Sequence, residues 1–227
     1  MERGLYIAAS GMLSEMARQD LIANDLANAA TPGYKPDRTA QRSFDELLLA
    51  SSASGRAIGA LGTGVSIAVQ ETNLDAAPIK DTGEPLDFAI AGAGFFAVET
   101  EQGVRYTRNG RFSTNAQGRL TDQLGNRVVG RNGGPVQVRP DGTVDPAALA
   151  TFTVSDARKA GDGVFTGTAR GAGTGQVRSG ALEGSGVDAA RTMVDMIASM
   201  RAFEAGQRVI TTIDSTLEKA SNQVGRV

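Results

Sequence analysis

The 227-residue chain contains no cysteine and no histidine. Those two absences remove thiol and imidazole nucleophiles, the commonest general base and the usual zinc ligands together. The expectation is therefore no catalytic residue, no metal centre and no cofactor. Without thiols the chain is also indifferent to the redox state of its compartment. Tryptophan is missing too, and aromatics make up only 5% of the sequence, which leaves no platform on which sugar rings would stack. The formal charge of −2 supplies no basic footprint, so nucleic acid is not an expected partner. No stretch reaches the roughly 20 apolar residues needed to span a bilayer. The opening MERGLYIAASGMLSEMARQD has an apolar run but no net-positive start, and Glu15 and Arg18 soon interrupt it. Neither a cleavable signal peptide nor direct membrane insertion is expected.

What is abundant is glycine, 29 residues of 227, against a usual share of about 7%. Gly92-Ala93-Gly94-Phe95-Phe96 and Gly171-Ala172-Gly173-Thr174-Gly175 come nearest to phosphate-binding loops but match neither spacing, and read as β-turns. Asp141-Gly142-Thr143-Val144-Asp145 lacks the ligand spacing of a calcium loop and reads as a hairpin turn. Two carboxylates brought together by folding would be invisible at this level. A periplasmic β-rich hydrolase is therefore the rival reading from another class.

The ends of the chain carry helical periodicity. From Leu5 a seam steps by four and three through Ala9, Met12, Met16, Gln19, Ala23, Leu26 and Ala30, about 26 residues or roughly 39 Å of helix. Asn24 and Asn28 stand one turn apart near its end, and Thr31-Pro32-Gly33-Tyr34 stops it, Pro32 forbidding continuation and Gly33 taking the turn. The paired amides are placed to bond backbone groups at the helix end. At the other terminus, Ser185-Gly186-Val187-Asp188 reads as a capping box. The seam that follows is Ala189, Met193, Met196, Met200, Phe203, Gly206, Ile210, Ile213, Leu217, Ala220 and Val224, regular except for one doubled step of three at Met200-Phe203-Gly206. Gly206 marks a hinge or a close approach, because glycine inside a helix costs about 1 kcal/mol against alanine.

Between the helices the rhythm shortens. Residues 86–90 (LDFAI), VRYTRNGRF, VVG, VQV and FTV are β-prone runs cut by turn signals at Gln102-Gly103, Asn109-Gly110, Gln117-Gly118, Gly125-Asn126, Asn132-Gly133-Gly134-Pro135 and Asp141-Gly142. The expected class is α+β: long N- and C-terminal helices in an antiparallel coiled-coil-like pair, with a central all-β domain of short hairpins. The expected divisions are an N-terminal helix over 1–35, a connector over 36–78 with a short helical piece from Phe44 to Ala50, a β domain over 79–182, and a C-terminal helix over 183–227. A two-helix pair hides one stripe per helix, yet Ile7, Leu13 and Ile22 on the first, and Val187, Val194, Ile197 and Val209 on the second, lie off those stripes. Neighbouring copies would have to cover them, which describes an assembly subunit.

Asn24-Asp25-Leu26-Ala27-Asn28 followed by Thr31-Pro32-Gly33-Tyr34-Lys35 resembles the N-terminal signature of the bacterial flagellar axial proteins of rod, hook and hook-associated type. Asp25 stands where that family commonly has a second asparagine. Leu86-Asp87-Phe88-Ala89-Ile90, Gly94-Phe95-Phe96 and Tyr106-Thr107-Arg108-Asn109-Gly110-Arg111-Phe112 look like the core hairpins of the rod and hook β domain. The stretch 179–188 (SGALEGSGVD), with Met193 to Arg201, Phe203-Glu204 and Val209-Ile210-Thr211, looks like the family's C-terminal helix motif. The short length and single β domain resemble the FlgF and FlgG rod subunits more than a hook or hook-junction subunit. The lack of a long insertion after the first helix is closer to FlgF.

The resemblance implies a structural subunit of the basal-body rod that polymerises into a torque-transmitting helical tube, its helices inside and its β domain outside. It implies as partners identical copies, other rod and hook subunits, and the flagellar type III export apparatus, which would deliver the chain to the periplasmic rod without a cleaved signal. Leu5, Met12, Met16, Leu26, Met193, Met196, Met200, Phe203, Ile210, Ile213 and Leu217 are the expected assembly residues. Asn24, Asn28, Thr31, Pro32, Gly33 and Tyr34 form the helix-end motif.

Overall fold

The computed structural model describes the backbone of residues 2–43, 47–50, 57–61 and 65–224, and the side chains of 4–38 and 71–222. The chain forms two compact units, one of residues 1–26, 37–71 and 189–227, the other of 27–36 and 72–188. Helix and sheet are both present, and the fold class is α+β.

The first unit holds α1 (Glu2–Ala27), β1 (Asp37–Ser43), β2 (Leu47–Ala50), β3 (Ala57–Leu61), β4 (Val65–Thr72) and α2 (Ala189–Lys219), the last running into a wider π-type turn at Ala220–Val224. β1 pairs with β4, and β2 with β3. The helical piece expected from Phe44 to Ala50 is corrected in the part that is described. Leu47–Ala50 is a strand, with Leu48 opposite Ala60. Residues 44–46 lie outside the described residues. A short apolar run such as Leu47-Leu48-Leu49 has no period to separate helix from strand, and here pairing with β3 decides.

The second unit runs through β5 (Ile79–Asp81), β6 (Phe88–Ala91), β7 (Phe96–Thr100), β8 (Gly103–Thr107), β9 (Ser113–Thr114), β10 (Leu120–Thr121), β11 (Arg127–Val128), β12 (Phe152–Lys159), β13 (Val164–Ala172), β14 (Gln176–Ser179) and β15 (Ala181–Glu183). A seven-stranded sheet has the order β12-β13-β8-β7-β11-β10-β9, while β14 pairs with β6 and β15 with β5. This unit is not all-β. A 3₁₀ turn at Pro146–Ala148 follows Asp145, whose carboxylate accepts the Ala147 N–H at 2.9 Å. Proline at the first position supplies the required φ and has no N–H to leave unpaired.

The strand period of two sorts the stretch Phe95-Phe96-Ala97-Val98 onto both faces of the sheet. Phe96 and Val98 join Phe88, Ile90, Phe112, Leu120, Val128, Val136, Val144 and Leu149 in one buried cluster. Phe95 and Ala97 join Tyr106 and Phe165 in the other. Phe96 meets Phe112 edge-on at 5.3 Å between ring centres, a favoured aromatic geometry. The Phe88 N–H donates to the Gly110 carbonyl at 3.0 Å. A side chain at Gly110 would collide with the Phe88 carbonyl, so glycine there lets the two backbones meet.

Candidate assembly site

The sequence places Lys35, Arg108 and Glu183 far apart, and the second unit brings all three together in its interior. Lys35 is 1% exposed, Arg108 4% and Glu183 1%. Glu183 Oε1 accepts from Lys35 Nζ at 2.6 Å and from the Ala77 N–H at 2.9 Å, while Oε2 accepts from Arg108 Nη1 at 3.1 Å. Lys35 Nζ also donates to the Asp75 carbonyl at 2.6 Å. Arg108 Nη2 donates to the Gly92 carbonyl at 3.0 Å, and its guanidinium lies 5.2 Å from the centre of the Phe95 ring. Burying three charges is costly unless each is paired and hydrogen-bonded, and this carboxylate has three donors.

The backbone repeats the same joints. Gly33 N–H donates to the Glu183 carbonyl at 2.9 Å, Gly184 N–H to the Pro78 carbonyl at 2.9 Å, and Gly186 N–H to the Tyr34 carbonyl at 2.9 Å. Gly33 has φ of 68°, a region that favours glycine, and a Cβ there would run into the Arg108–Asn109 peptide. The segment after α1 and the segment before α2 are thus bonded to each other and to the strand hairpins. Tyr34 stacks under Lys159, with Nζ 4.4 Å from the ring centre.

The helix-end motif falls as follows. α1 ends at Ala27, five residues before Pro32. The Thr31 N–H donates to the Asn28 carbonyl at 3.1 Å, and the Thr31 hydroxyl to Asn28 Oδ1 at 3.2 Å. Asn24 is exposed, Asn28, Thr31, Pro32 and Tyr34 are half-buried, and Gly33 is buried. The capping box is displaced. Ser185 Oγ accepts from the Val187 N–H at 3.2 Å, a local turn, and α2 starts only at Ala189.

In the first unit the helices touch at identifiable points. Ser199 Oγ donates to Glu15 Oε2 at 2.6 Å. A Cβ on Gly206 would lie 2.8 Å from Met12 Cγ, and one on Gly4 3.6 Å from Ile213 Cδ1. Gly206 is therefore a close approach filled by a side chain. Ser199, wholly covered, is the buried residue of α2. The covered or half-covered residues of α2 are Ala189, Thr192, Asp195, Met196, Ser199, Phe203, Gly206, Ile210 and Ile213, and apart from Asp195, beside Met196, they follow a line of unbroken steps of three and four.

Met193 and Met200, which the sequence puts on the seam, are 51% and 50% exposed and lie off this line. The doubled step of three disappears with them. Apolarity favours the methionines, whereas the contact line selects Ser199 because its hydroxyl finds the Glu15 carboxylate. Met12, Leu26, Met196, Phe203, Ile210 and Ile213 are half-buried, while Leu5, Met16 and Leu217 are exposed. Ala220 is exposed, and the Val224 side chain lies outside the described residues. Of the residues expected off the seam, Ile7, Leu13, Val194, Ile197 and Val209 are exposed, and Ile22 and Val187 are half-covered.

Among the described residues no three acidic, histidine or cysteine side chains gather to hold a metal, and no helix is long and apolar enough to cross a membrane. What the two units offer is a braced strand body and exposed apolar helix flanks, the equipment of a structural subunit. Comparison with known proteins agrees and is more specific. Models for the flagella basal body rod protein, the flagellar hook protein FlgE/F/G D1 domain and the flagellar basal body rod FlgEFG protein C-terminal match residues 5–35, 89–157 and 178–223. The chain is 31% identical to the flagellar basal-body rod protein FlgG of Bacillus subtilis, over 98% of this chain and 99% of the relative. It is 32% identical to FlgF of Caulobacter vibrioides, over 100% and 98%, and 32% identical to FlgF of Escherichia coli, over 97% and 98%. The chain belongs to the flagellar basal-body rod family, of the FlgF and FlgG type, whose members are structural rod subunits. Identities of 31% to FlgG and 32% to FlgF do not separate the two types.

Proposed function

We propose that α1 and α2 form an antiparallel, coiled-coil-like pair and that this pair carries the contacts by which the subunit polymerises into a helical, torque-transmitting rod. The contact points support the direction: residue numbers rise along α1 through Gly4, Met12 and Glu15 as they fall along α2 through Ile213, Gly206 and Ser199. On this reading Met12, Leu26, Met196, Phe203, Ile210 and Ile213 hold the pair together. Leu5, Met16, Met193, Met200 and Leu217, with Leu13 and Ile197, face identical copies or other rod and hook subunits. Heterologous contacts of this kind generate an open array.

The observation that carries the proposal is the exposure of large apolar side chains along both helices. Leu13 is 66% exposed and Ile197 53%, and covering what remains open of each would contribute about 1–2 kcal/mol. Export by the flagellar type III route, without a cleaved signal, and a function without catalysis belong to the same proposal. The test is to replace Ile197 and Met200 with Asp together in the full chain. The variant is expected to keep the wild-type unfolding profile as an isolated protein and to be lost from purified basal bodies. Normal incorporation would refute the proposal.

A further inference from the structure

Residues 189–203 of α2 can present two different seams to α1. The apolar one runs through Met193, Met196, Met200 and Phe203 and needs a broken spacing at Met200-Phe203-Gly206, a local overwinding of the pair. The other runs through Thr192, Met196, Ser199 and Phe203 with regular spacing and puts two hydroxyls on the contact line. Burial of apolar area favours the first in an isolated protein. The chain adopts the second, with Ser199 at 0% exposure and Met193, Ile197 and Met200 each at least 50% exposed. α1 does the same at this level. Ser14 is 6% exposed and Leu13 66%, and one turn beyond Glu15 the Gln19 Nε2 is buried. Over this stretch serines take the most covered position on each helix, while Leu13, Met193, Ile197 and Met200 stay exposed.

We propose that the Glu15–Ser199 hydrogen bond is the positioning device that selects the polar seam and keeps the methionine face turned outward. The inference rests on the helix-pair reading above. The bond is short, 2.6 Å, its donor is fully covered, and the acceptor carboxylate is itself only 14% exposed and 3.9 Å from Arg18. A single buried polar contact of this sort sets register in helix pairs, because every other pairing leaves a polar group unmatched. Gly206, one heptad from Ser199, receives Met12, so the regular spacing is anchored on both sides. Glu15 and Ser199 here position other residues; the surface they expose is Met193, Ile197 and Met200.

Peroxide oxidation of the full chain, followed methionine by methionine by mass spectrometry under dilute conditions where sedimentation shows a monomer, reads the seam directly. In the wild type Met193 and Met200 should oxidise faster than Met196 and Met12. Ser199→Ala and Glu15→Ala should slow Met193 and Met200 about fivefold, since sulfoxide formation follows exposure. Glu15→Gln, whose amide oxygen still accepts the serine hydroxyl, should keep the wild-type rates. Unchanged rates in both alanine variants, with helix content intact by circular dichroism, would overturn the proposal. So would a general rise at all positions, since the bond would then hold the pair together rather than choose its seam. Slow oxidation of Met193 and Met200 in the wild-type monomer would sink the exposed-face reading itself, a result separable from the other two.

Discussion

Glu183 shows how much of the second unit rests on one carboxylate. It neutralises part of a buried cluster of two cations and one anion, and its backbone pairs with Ile79 while its carbonyl takes the Gly33 N–H. Removing one member of a buried ion cluster costs more than the cluster contributes, because a charge is left uncompensated. Glu183→Gln leaves Lys35 and Arg108 facing each other without an anion, and should destabilise the unit by about 3–5 kcal/mol. Lys35→Met removes a cation yet leaves the Arg108–Glu183 pair intact, so it should cost less, about 1–3 kcal/mol for the unmatched Asp75 carbonyl and the lost bonds. Urea unfolding of the two variants checks the order. Equal losses would mean that shape, not charge, is what the site requires. Gly33→Ala tests the backbone at the same joint. Strain at positive φ costs about 1–3 kcal/mol, and the collision with the Arg108–Asn109 peptide adds to it, so this small change should rival the loss of a core methylene or more.

At the scale of elements, the helices and hairpins are legible in the sequence because each is fixed by neighbours along the chain. Period-four-and-three stripes mark α1 and α2, and glycine turn signals mark the turns between β7 and β8 and between β10 and β11. What is not legible depends on partners far along the chain. Lys35, Arg108 and Glu183 each sit inside a quoted motif, but nothing in the spacing says that three such distant segments share a carboxylate. The apolar seam of α2 misses the contact line by one residue at Met193 and Met200 for a related reason. Hydrophobicity cannot register that a serine is worth burying when a glutamate waits opposite. Gly206 permits a test at this level. Alanine in a helix interior is favoured over glycine by about 1 kcal/mol, but a Cβ at Gly206 would press on Met12. Gly206→Ala should therefore be near neutral or unfavourable in the native background and stabilise α2 by about 0.5–1 kcal/mol once Met12 is also alanine. Thermal unfolding followed at the helix band gives the four corners of that cycle. Strict additivity would show that Met12 and Gly206 do not meet.

For the whole molecule, the division of labour follows from where the charges and the apolar surfaces lie. The unit made of 27–36 and 72–188 holds two apolar clusters containing phenylalanines and one buried cluster of paired charges, Lys35, Arg108 and Glu183. The exposed apolar residues concentrate on α1 and α2. A fragment from residue 36 to 184 would discard Lys35 and Gly33 together with Gly186. It would leave Glu183 with one cation, free the Asp75 carbonyl and unpair the Glu183 carbonyl. A fragment from 27 to 188 keeps every one of these bonds. The longer piece should fold as a monomer with cooperative urea unfolding. The shorter should be less stable by about 2–4 kcal/mol, the sum expected for a lost buried ion pair partner and two or three backbone bonds. Neither should associate, because both lack the helices. Sedimentation combined with urea titration separates the possibilities. If the 36–184 piece is as stable as the longer one, the segment from Ala27 to Lys35 is a passive tether and the bonded joint contributes nothing to the strand body. If the 27–188 piece self-associates, the contacts between copies reside on the strands, and the helices lose the role assigned to them.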